Sequence, residues 1–576
     1  MERVRTFIQG IAQKVWRSRR TLLWLLVTFL VAAWMSRPYL QSAFPYTHDG
    51  ENHLARFMNY AAAFREGQIP PRFAPYLFSG FGFPVFHYNY PLANILAMPF
   101  IWLGFHPAVP FAVLVLGSAW LGVLAVYSLA RGAFSRSASL FAVGMYATGS
   151  YWATATFFRG NIGEILWYGL LPITLWTWQH FHKQKWSWRW GVATVLVLVV
   201  GWLAHNVMAV LLMPLLALWT LSLAWSARKL KLWFLVWTAS VLLVVWFWIP
   251  AVMELSLVAL EGDDLVRETQ QHLLGWGQVW SSPLRFGFSR PTVLDTLGFG
   301  LGGVSFAVAV LALSRACNAV ARMWKPRKWR SGASHSVRSR LLLVVVGITA
   351  LFFALTISSP AWSAVPSLSI IQFPWRLLFL VQFVVIALSA WVWEGLRGWK
   401  WILLVLLLLQ IGMLSGLRPV DTRSAQREHY LHYPHTTGTR NENRPQTLRA
   451  DTLGSWALGP QIATGEAEVA VTEWLGSRRS YTLEAKTDVI VQETTVFYPG
   501  WVTTLDGQAV EYDLDTVEPF GFITYHIPAR PGEAYAVKTV FAARTPWRWV
   551  GEGISLVTLV LGAGFVMYCM YQEKRK

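Results

Sequence analysis

Twelve stretches of this chain are apolar for long enough to cross a lipid bilayer, and that repetition limits its possible folds more than any other feature. They run near 21–37, 109–130, 137–153, 165–180, 190–205, 207–225, 232–252, 299–320, 341–357, 375–393, 400–417 and 548–570. Roughly 17 to 25 apolar residues suffice for a helix to span the hydrocarbon layer, where every backbone polar group must be satisfied internally. A chain that is 55% hydrophobic and 14% charged, with 34 tryptophans and a mean hydropathy of +0.40, has too little polar surface to cover a single soluble core. The expected fold is a polytopic α-helical membrane protein with about twelve transmembrane helices.

Charge sets the expected orientation. With the N-terminus in the cytoplasm, residues 1–20, 131–136, 181–189, 226–231, 315–340, 394–400 and 573–576 lie inside. They hold 27 of the 49 Lys and Arg but three of the 30 acids, Glu2, Glu394 and Glu573. The net charge of +19 is thus explained by the positive-inside rule, and nucleic acid is not an expected partner. Cys317 and Cys569 are far apart and match neither a disulfide framework nor a zinc spacing.

Residues 91–106, "PLANILAMPFIWLGFH", are apolar but short. Counting them as a span would reverse the side of "RGAFSR", so they are expected to form an interfacial or re-entrant helix. The N-terminal run lacks a clean cleavage site and is expected to remain as the first span rather than leave as a signal peptide. Residues 418–547 change character: "EAEVAVTEW", "SYTLEAKTDVIVQETTVFY", "GFITYHIPA" and "AYAVKTVFAA" alternate or are β-branched, and "PGW", "LDGQ" and "RPGE" break them. The expected organisation is a transmembrane module at 1–417 with a long first outer loop at 38–108, a β-sandwich at 418–547 outside the membrane, and a last span with a basic tail at 548–576. Within the sandwich, "FYPGWVTTLDGQ" carries aromatics that suit either sugar stacking or a core. The basic loop 323–340 reads as an orientation signal.

In this topology the unusual polar residues all fall outside. Asp49, Glu51, His53 and Arg56 follow span one in "THDGENHLAR". Arg159 and Glu164, in "FFRGNIGE", separate spans three and four. His205 and Asn206 join spans five and six, Glu254 ends span seven, and Gln372 and Arg376, in "IIQFPWRLL", enter span ten. Each also has a structural explanation. Asp49 is a natural N-cap, His53 and Arg56 fit a solvated face, and Arg159 with Glu164 fits an ion pair. His205–Asn206 fits a polar turn, and Arg376 after Pro374 fits a headgroup contact. The functional alternative rests on their shared side, at a depth where charge is costly. If a helix starts at Asp49, then Asp49, His53, Arg56 and Tyr60 share one face and Glu51 points elsewhere. A carboxylate among cations suits a general base or a metal ligand, and Arg56, Arg159 and Arg376 suit bidentate contact with phosphate.

An acidic motif in the first outer loop, "GQIPPRFAP" and "GFPVFHYNYPLANIL" after it, a second acid after span three and a C-terminal outer domain resemble the GT-C superfamily of polyprenyl-phosphate-dependent glycosyltransferases. More narrowly, "DGENHLAR", "RGNIGEILWYGLLPITLW", "HN", "FWIPAVME", "IQFPWRLL" and "FYPGW" followed by "DG" are similar to the bacterial membrane proteins named pyruvoyl-tetrahydropterin synthase-related and to YfhO-type proteins. Nothing in the sequence supports the zinc chemistry of that synthase.

The resemblance implies a plasma (inner) membrane protein with both termini cytoplasmic. It would transfer a sugar, with inversion, from a polyprenyl-phosphate donor to an acceptor outside, which could be a cell-envelope glycan, lipid or protein. Asp49 would be the base, with Glu51 and Glu164 as further site acids. His53, Arg56, Arg159, His205, Asn206, Gln372 and Arg376 would bind substrate. No cofactor is expected, although an Asp49–Glu51 pair leaves Mg or Mn open. Two alternatives from other classes are a non-enzymatic binding or translocation factor for lipid-linked envelope polymers, and an ion-coupled transporter. The second would want charges at mid-bilayer, and the spans are nearly charge-free.

Overall fold

The computed structural model describes residues 2–184, 186–259, 268–289, 296–323, 335–396, 398–438, 443–449, 456–542 and 544–575. A helix coincides with each of the twelve apolar runs. Among the described residues seven helices are long and apolar enough to cross a membrane: Arg19–Tyr39, Ala108–Arg131, Asn206–Ser226, Gly303–Ala321, Val337–Ala354, Pro374–Gly395 and Pro546–Lys574. An eighth counts if Leu230–Leu242 and Val245–Met253, bent by 63° at their junction, form one span. The helix Leu92–Trp102, inside the segment expected to be interfacial, is too short to cross. The chain is a multi-pass membrane protein, mostly helical, with a β-rich C-terminal region.

Two compact units interleave along the sequence. The first comprises Met1–His48, Ala112–His180 and Asp263–Arg423, and the second Asp49–Phe111, Phe181–Gly262 and Ser424–Lys576. In the first, the helix Leu378–Gly395 is almost all apolar and mostly buried, because Arg136–Ala147, Gly303–Met323 and His335–Ala354 pack around it. Residues 137–153 were expected as one span, but the helix stops at Ala147. It resumes over Ser150–Ala153 and continues as a π-helix, Thr154–Arg159, that ends on left-handed Gly160 at φ 64°. The break has a packing cause. Thr148 bonds back to Gly144 O at 2.8 Å, and Gly149 lies so close to the Tyr168 hydroxyl that a side chain there would collide. A two-stranded sheet, β1 (Phe44–Pro45) with β2 (Thr422–Arg423), also belongs to this unit.

The second unit contains the helix Gly50–Arg65, packed on Leu92–Trp102 and Arg427–Leu431. It also contains Val245–Met253, which runs along Pro546–Lys574 with Gly551 against the backbone of Val245. Its strands are β3 (Pro460–Thr464), β4 (Ala467–Trp474), β5 (Arg478–Ala485), β6 (Val489–Val496), β7 (Trp501–Leu505), β8 (Gln508–Ala509), β9 (Phe522–Ile527) and β10 (Tyr535–Phe541). They form an antiparallel five-stranded sheet, β4-β5-β10-β7-β8, and a three-stranded sheet, β3-β6-β9. Tyr481, Leu483 and Val537 from one sheet share a core with Val491, Ile523 and Tyr525 from the other, which makes a sandwich. The "LDGQ" turn closes β7 onto β8 with Asp506 and Gly507 both at positive φ, the geometry that Asp-Gly hairpins favour. Tyr498 and Trp501 of "FYPGW" are buried in this core, and Trp501 packs edge-on against Phe73 and Phe541. Of their two expected roles, packing is the one the fold uses.

Candidate functional site

Glu164 is the only carboxylate between Glu66 and Glu254, and the first unit buries it completely. Its position follows from local sequence. Asn161 precedes the helix Ile162–Lys183, and its Oδ1 accepts the Glu164 N–H at 3.1 Å, as an N-cap does for the third helical residue. The carboxylate therefore sits in the first turn, where the helix dipole favours negative charge.

Two arginines converge on it. Arg159 closes the π-helix, and its Nη1 donates to both Glu164 oxygens, at 2.5 and 2.6 Å. Arg376 arrives from far along the chain and donates through Nε to Oε1 at 3.1 Å. Tyr151 adds a hydroxyl to Oε2 at 2.7 Å. Aromatic rings flank both cations, Trp375 at 4.4 Å from Arg159 and Phe373 at 5.0 Å from Arg376.

The segment that delivers Arg376 is strained. Gln372 has φ 60° and ψ −51°, and the Phe373 N–H reaches back to Ile371 O at 2.6 Å, so residues 371–373 form a γ-turn of the rare positive-φ kind. A glutamine at this φ costs energy that the surroundings must offset, and such outliers cluster where geometry serves function. Arg376 anchors the turn: its Nη1 donates to Ile371 O at 2.9 Å and to Gln372 Oε1 at 3.3 Å. Among the described residues its Nη2 has no hydrogen-bond partner.

Ser150, Tyr151, Thr154, Arg159, Glu164 and Trp375 share a small recess with apolar neighbours, with room for about one water. Ser150 Oγ and Trp375 Nε1 are buried there without a partner among the described residues. Among the described residues, one carboxylate faces two guanidinium groups, which leaves a surplus positive charge. With unpaired donors at its edge, the centre is suited to receive an anion.

The remaining expected residues lie in the second unit. Asp49 stands at the N-cap of Gly50–Arg65, but its side chain makes no capping bond, so the cap does not explain the carboxylate. Glu51, in the first turn, is half-buried. Among the described residues no three His, Cys, Asp or Glu side chains stand together as metal ligands. His53 Nε2 lies 3.5 Å from the Tyr90 hydroxyl, and Tyr90 stacks on His205 at 4.6 Å. His205 caps the helix Asn206–Ser226 by accepting the Met208 N–H at 3.3 Å, as the polar-turn alternative expected. Asn206 donates to Tyr88 O at 2.6 Å. Arg56 is a strap: it donates to Thr437 Oγ1 at 3.0 Å, to Asn89 Oδ1 at 3.2 Å and to the Thr437 carbonyl.

Several participants were not singled out from sequence. Asn161, three residues before Glu164, carries a readable capping signal, and Trp375 stands inside "IQFPWRLL". Tyr151 sits in an apolar run with nothing to mark it. Glu254 was noted only as the end of a span, but it accepts from Thr545 Oγ1, from Arg548 Nη2 at 3.0 Å and from His87 Nε2 at 3.0 Å. Burial pushes His87 down to about 4, so it is a neutral donor at pH 7. Burial works to raise Glu254, but the His87 hydrogen bond and the Arg548 charge outweigh it and hold the carboxyl at about 2.

No known protein family matches this chain, and no curated protein matches its sequence. Among solved structures, the chain is similar to the arabinofuranosyltransferase AftD from mycobacteria, with a TM-score of 0.43 and 13% identity over 68% of this chain and 26% of that one. The chain thus spans about a quarter of that protein's length, and the likeness is too distant to assign a fold or an activity.

Proposed function

We propose that this protein is a membrane glycosyltransferase that moves a sugar from a polyprenyl-phosphate donor to an extracytoplasmic acceptor. The observation that carries this reading is the surplus-cation centre of Arg159, Glu164 and Arg376. The motif resemblance to the GT-C superfamily adds the reaction type. Arg376, whose Nη2 has no hydrogen-bond partner among the described residues, binds the donor phosphate, and Arg159 supports it. Glu164 positions the two guanidinium groups rather than exchanging protons. In the transfer, the acceptor hydroxyl oxygen forms a bond to the anomeric carbon from the face opposite the phosphate, and the bond from that carbon to the phosphate oxygen breaks. The departing polyprenyl phosphate keeps the electron pair, its new charge is met by arginine, and the acceptor proton passes to a carboxylate base, the role that the motif resemblance gives to Asp49. The site faces outward and the termini lie in the cytoplasm of a bacterial plasma membrane, with 418–547 as an outer domain that holds or covers the acceptor.

The test is release of lipid phosphate by the purified protein given labelled polyprenyl-phosphate sugars and envelope acceptors. Arg376→Ala should abolish donor binding and release together. Donor binding by wild type with no release under any acceptor would reject the transferase and favour the translocation factor.

A further inference from the structure

In the second unit the short helix Leu92–Trp102 keeps an apolar stripe outside its packing. Leu96, Phe100 and Leu103 recur at i, i+4 and i+7 and so share one side, while Asn94, Ala97 and Ile101 are buried on the opposite side. Leu103 is 76% exposed, Phe105 48% and Leu96 42%.

The turn that carries Leu103 and Phe105 is firmly closed. The Gly104 N–H donates to Ile101 O at 3.1 Å and the Phe105 N–H to Phe100 O at 3.0 Å, with Gly104 left-handed at φ 90°, which is a Schellman closure. The hydrophobic contact that accompanies this motif is present too, with the Phe100 and Phe105 rings 6.2 Å apart. The chain then folds at once into the next helix. His106 Nδ1 accepts the Ala108 N–H at 3.2 Å, and His106 O accepts the Val109 N–H at 2.9 Å. That helix, Ala108–Arg131, is long and apolar enough to cross a bilayer, and its first turns expose Val109 and Val113. Residues 104–107 are held in turns, which leaves little chain to carry Leu103 away from the level where the span begins.

An indole and two cations stand behind this tip. Arg65 Nη2 donates to Trp102 O at 3.3 Å, Arg427 Nη2 to Ile101 O at 3.1 Å and Trp102 Nε1 to Ala61 O at 3.3 Å, with the Arg65 guanidinium 5.8 Å from the Trp102 ring. Both arginines thus meet carbonyls of the helix's last turn, where the dipole favours positive charge. Tryptophan and arginine behind an apolar tip match the layering of a membrane interface.

We propose that Leu96, Leu103 and Phe105 insert into the leaflet at which Ala108–Arg131 begins, with Trp102, Arg65 and Arg427 at the level of the headgroups. A single exposed leucine is ordinary, whereas an apolar stripe rimmed by polar residues marks a contact surface. Its partner is bilayer lipid, because the stripe continues the exposed apolar side of a span. Through Trp102 and the two arginines the tip moors the helix Gly50–Arg65, so Asp49 at its N-cap is held at a fixed height over the lipid.

The full-length protein, with Cys317 and Cys569 replaced, is reconstituted into phosphatidylcholine nanodiscs as Leu103→Cys, Phe105→Cys, Val557→Cys or Val471→Cys, each labelled with a nitroxide. Val557 on the last span and Val471 on β4 are exposed references for lipid and for water. Collision with oxygen, which concentrates in lipid, relative to a nickel chelate, which stays in water, should be several-fold higher at Leu103 and Phe105 than at Val471. Leu103→Asp, at a mostly exposed position, should return the Phe105 label towards the Val471 value without moving the melting midpoint in detergent. A Leu103 label as open to nickel as the one at Val471 would overturn the lipid contact. So would a label shielded from both reagents, which would assign the stripe to a second copy of the chain.

Discussion

Among the described residues two carboxylates are completely buried against arginine, Glu164 in the first unit and Glu493 in the second, and their surroundings are opposite in kind. Glu493 sits on β6, within regular strands. It takes Arg479 Nη1 at 3.1 Å, Thr539 Oγ1 at 2.6 Å and the hydroxyls of Tyr481 and Tyr525 at 3.1 and 3.2 Å, while Trp474 and Trp501 cover the guanidinium. The charges balance, one against one, and the neighbouring hydroxyls are used up. Glu164 faces two arginines, one from a π-helix and one from a γ-turn, beside a recess with unpaired donors. A balanced, saturated pair holds a fold together. A surplus of cation on irregular backbone is what a chain keeps when something else is to bind there.

Breaking the balanced pair should have the largest effect on the fold. Glu493→Ala leaves Arg479 buried without its partner and should destabilise the sandwich by about 3–5 kcal/mol, read as a lower midpoint in thermal unfolding. A variant that melts like wild type would remove the distinction between the two centres. Asp49→Asn makes the opposite kind of change: the fold should persist while transfer falls by about 10²- to 10⁴-fold. Full turnover in that variant would return Asp49 to a helix start and the chain to a binding factor.

Arg376→Lys sharpens the contrast at the surplus centre itself. The charge stays but the planar fork is lost, so donor affinity should drop about tenfold with little change in melting. The equivalent change at the balanced centre, Arg479→Lys, should cost stability instead. An Arg376→Lys protein that binds donor like wild type would show that phosphate is not held bidentately there.

The His87–Glu254 contact supplies a pH signature. His87 is near 4 in the folded protein, below its ordinary value near 6.5, so the unfolded chain binds the extra proton between those limits. This contribution is therefore present above pH 6.5 and lost as pH falls towards 4. Glu254, held at about 2 against an ordinary value near 4.5, contributes fully above about pH 4.5 and loses that contribution as pH falls from there towards 2. Wild type should lose more thermal stability than His87→Asn between pH 6.5 and 4, and parallel losses would exclude the histidine as the cause. The smallest perturbation tests placement alone. In a background with Cys317 and Cys569 replaced, cysteines at Ser367 and Gln508 should react with an impermeant thiol reagent from outside, and one at Ala133 should not. Labelling at Ala133 alone would put both centres on the other side.

The parts of the molecule legible in the sequence are those decided by local pattern. The helix Gly50–Arg65 meets the condition under which Asp49, His53, Arg56 and Tyr60 were expected to share a face, β4, β6, β9 and β10 fall within the alternating runs, and β5 overlaps one of them. Arg159, Glu164 and Arg376 were picked out because charge next to a span is expensive, and Gln372 as a polar residue at the same place. The role of Arg56 was not legible, because its partners Asn89 and Thr437 carry no charge and lie in separate loops. Tyr498 and Trp501 were equally ambiguous, since an aromatic on a strand reads the same whether it faces a core or a ligand.

By itself the sequence determined that this chain lives in a membrane, where its apolar runs lie and where the strands begin, because transfer from water to hydrocarbon is a property of consecutive residues. Only the tertiary structure decided that Glu164, which could have paired with Arg159 alone, also receives Arg376 from a strained turn more than two hundred residues away. That choice depends on how Pro374–Gly395 packs among its neighbours. A single carboxylate can answer one or two guanidinium groups with equal ease in sequence, and only the packing fixes which charge is left over.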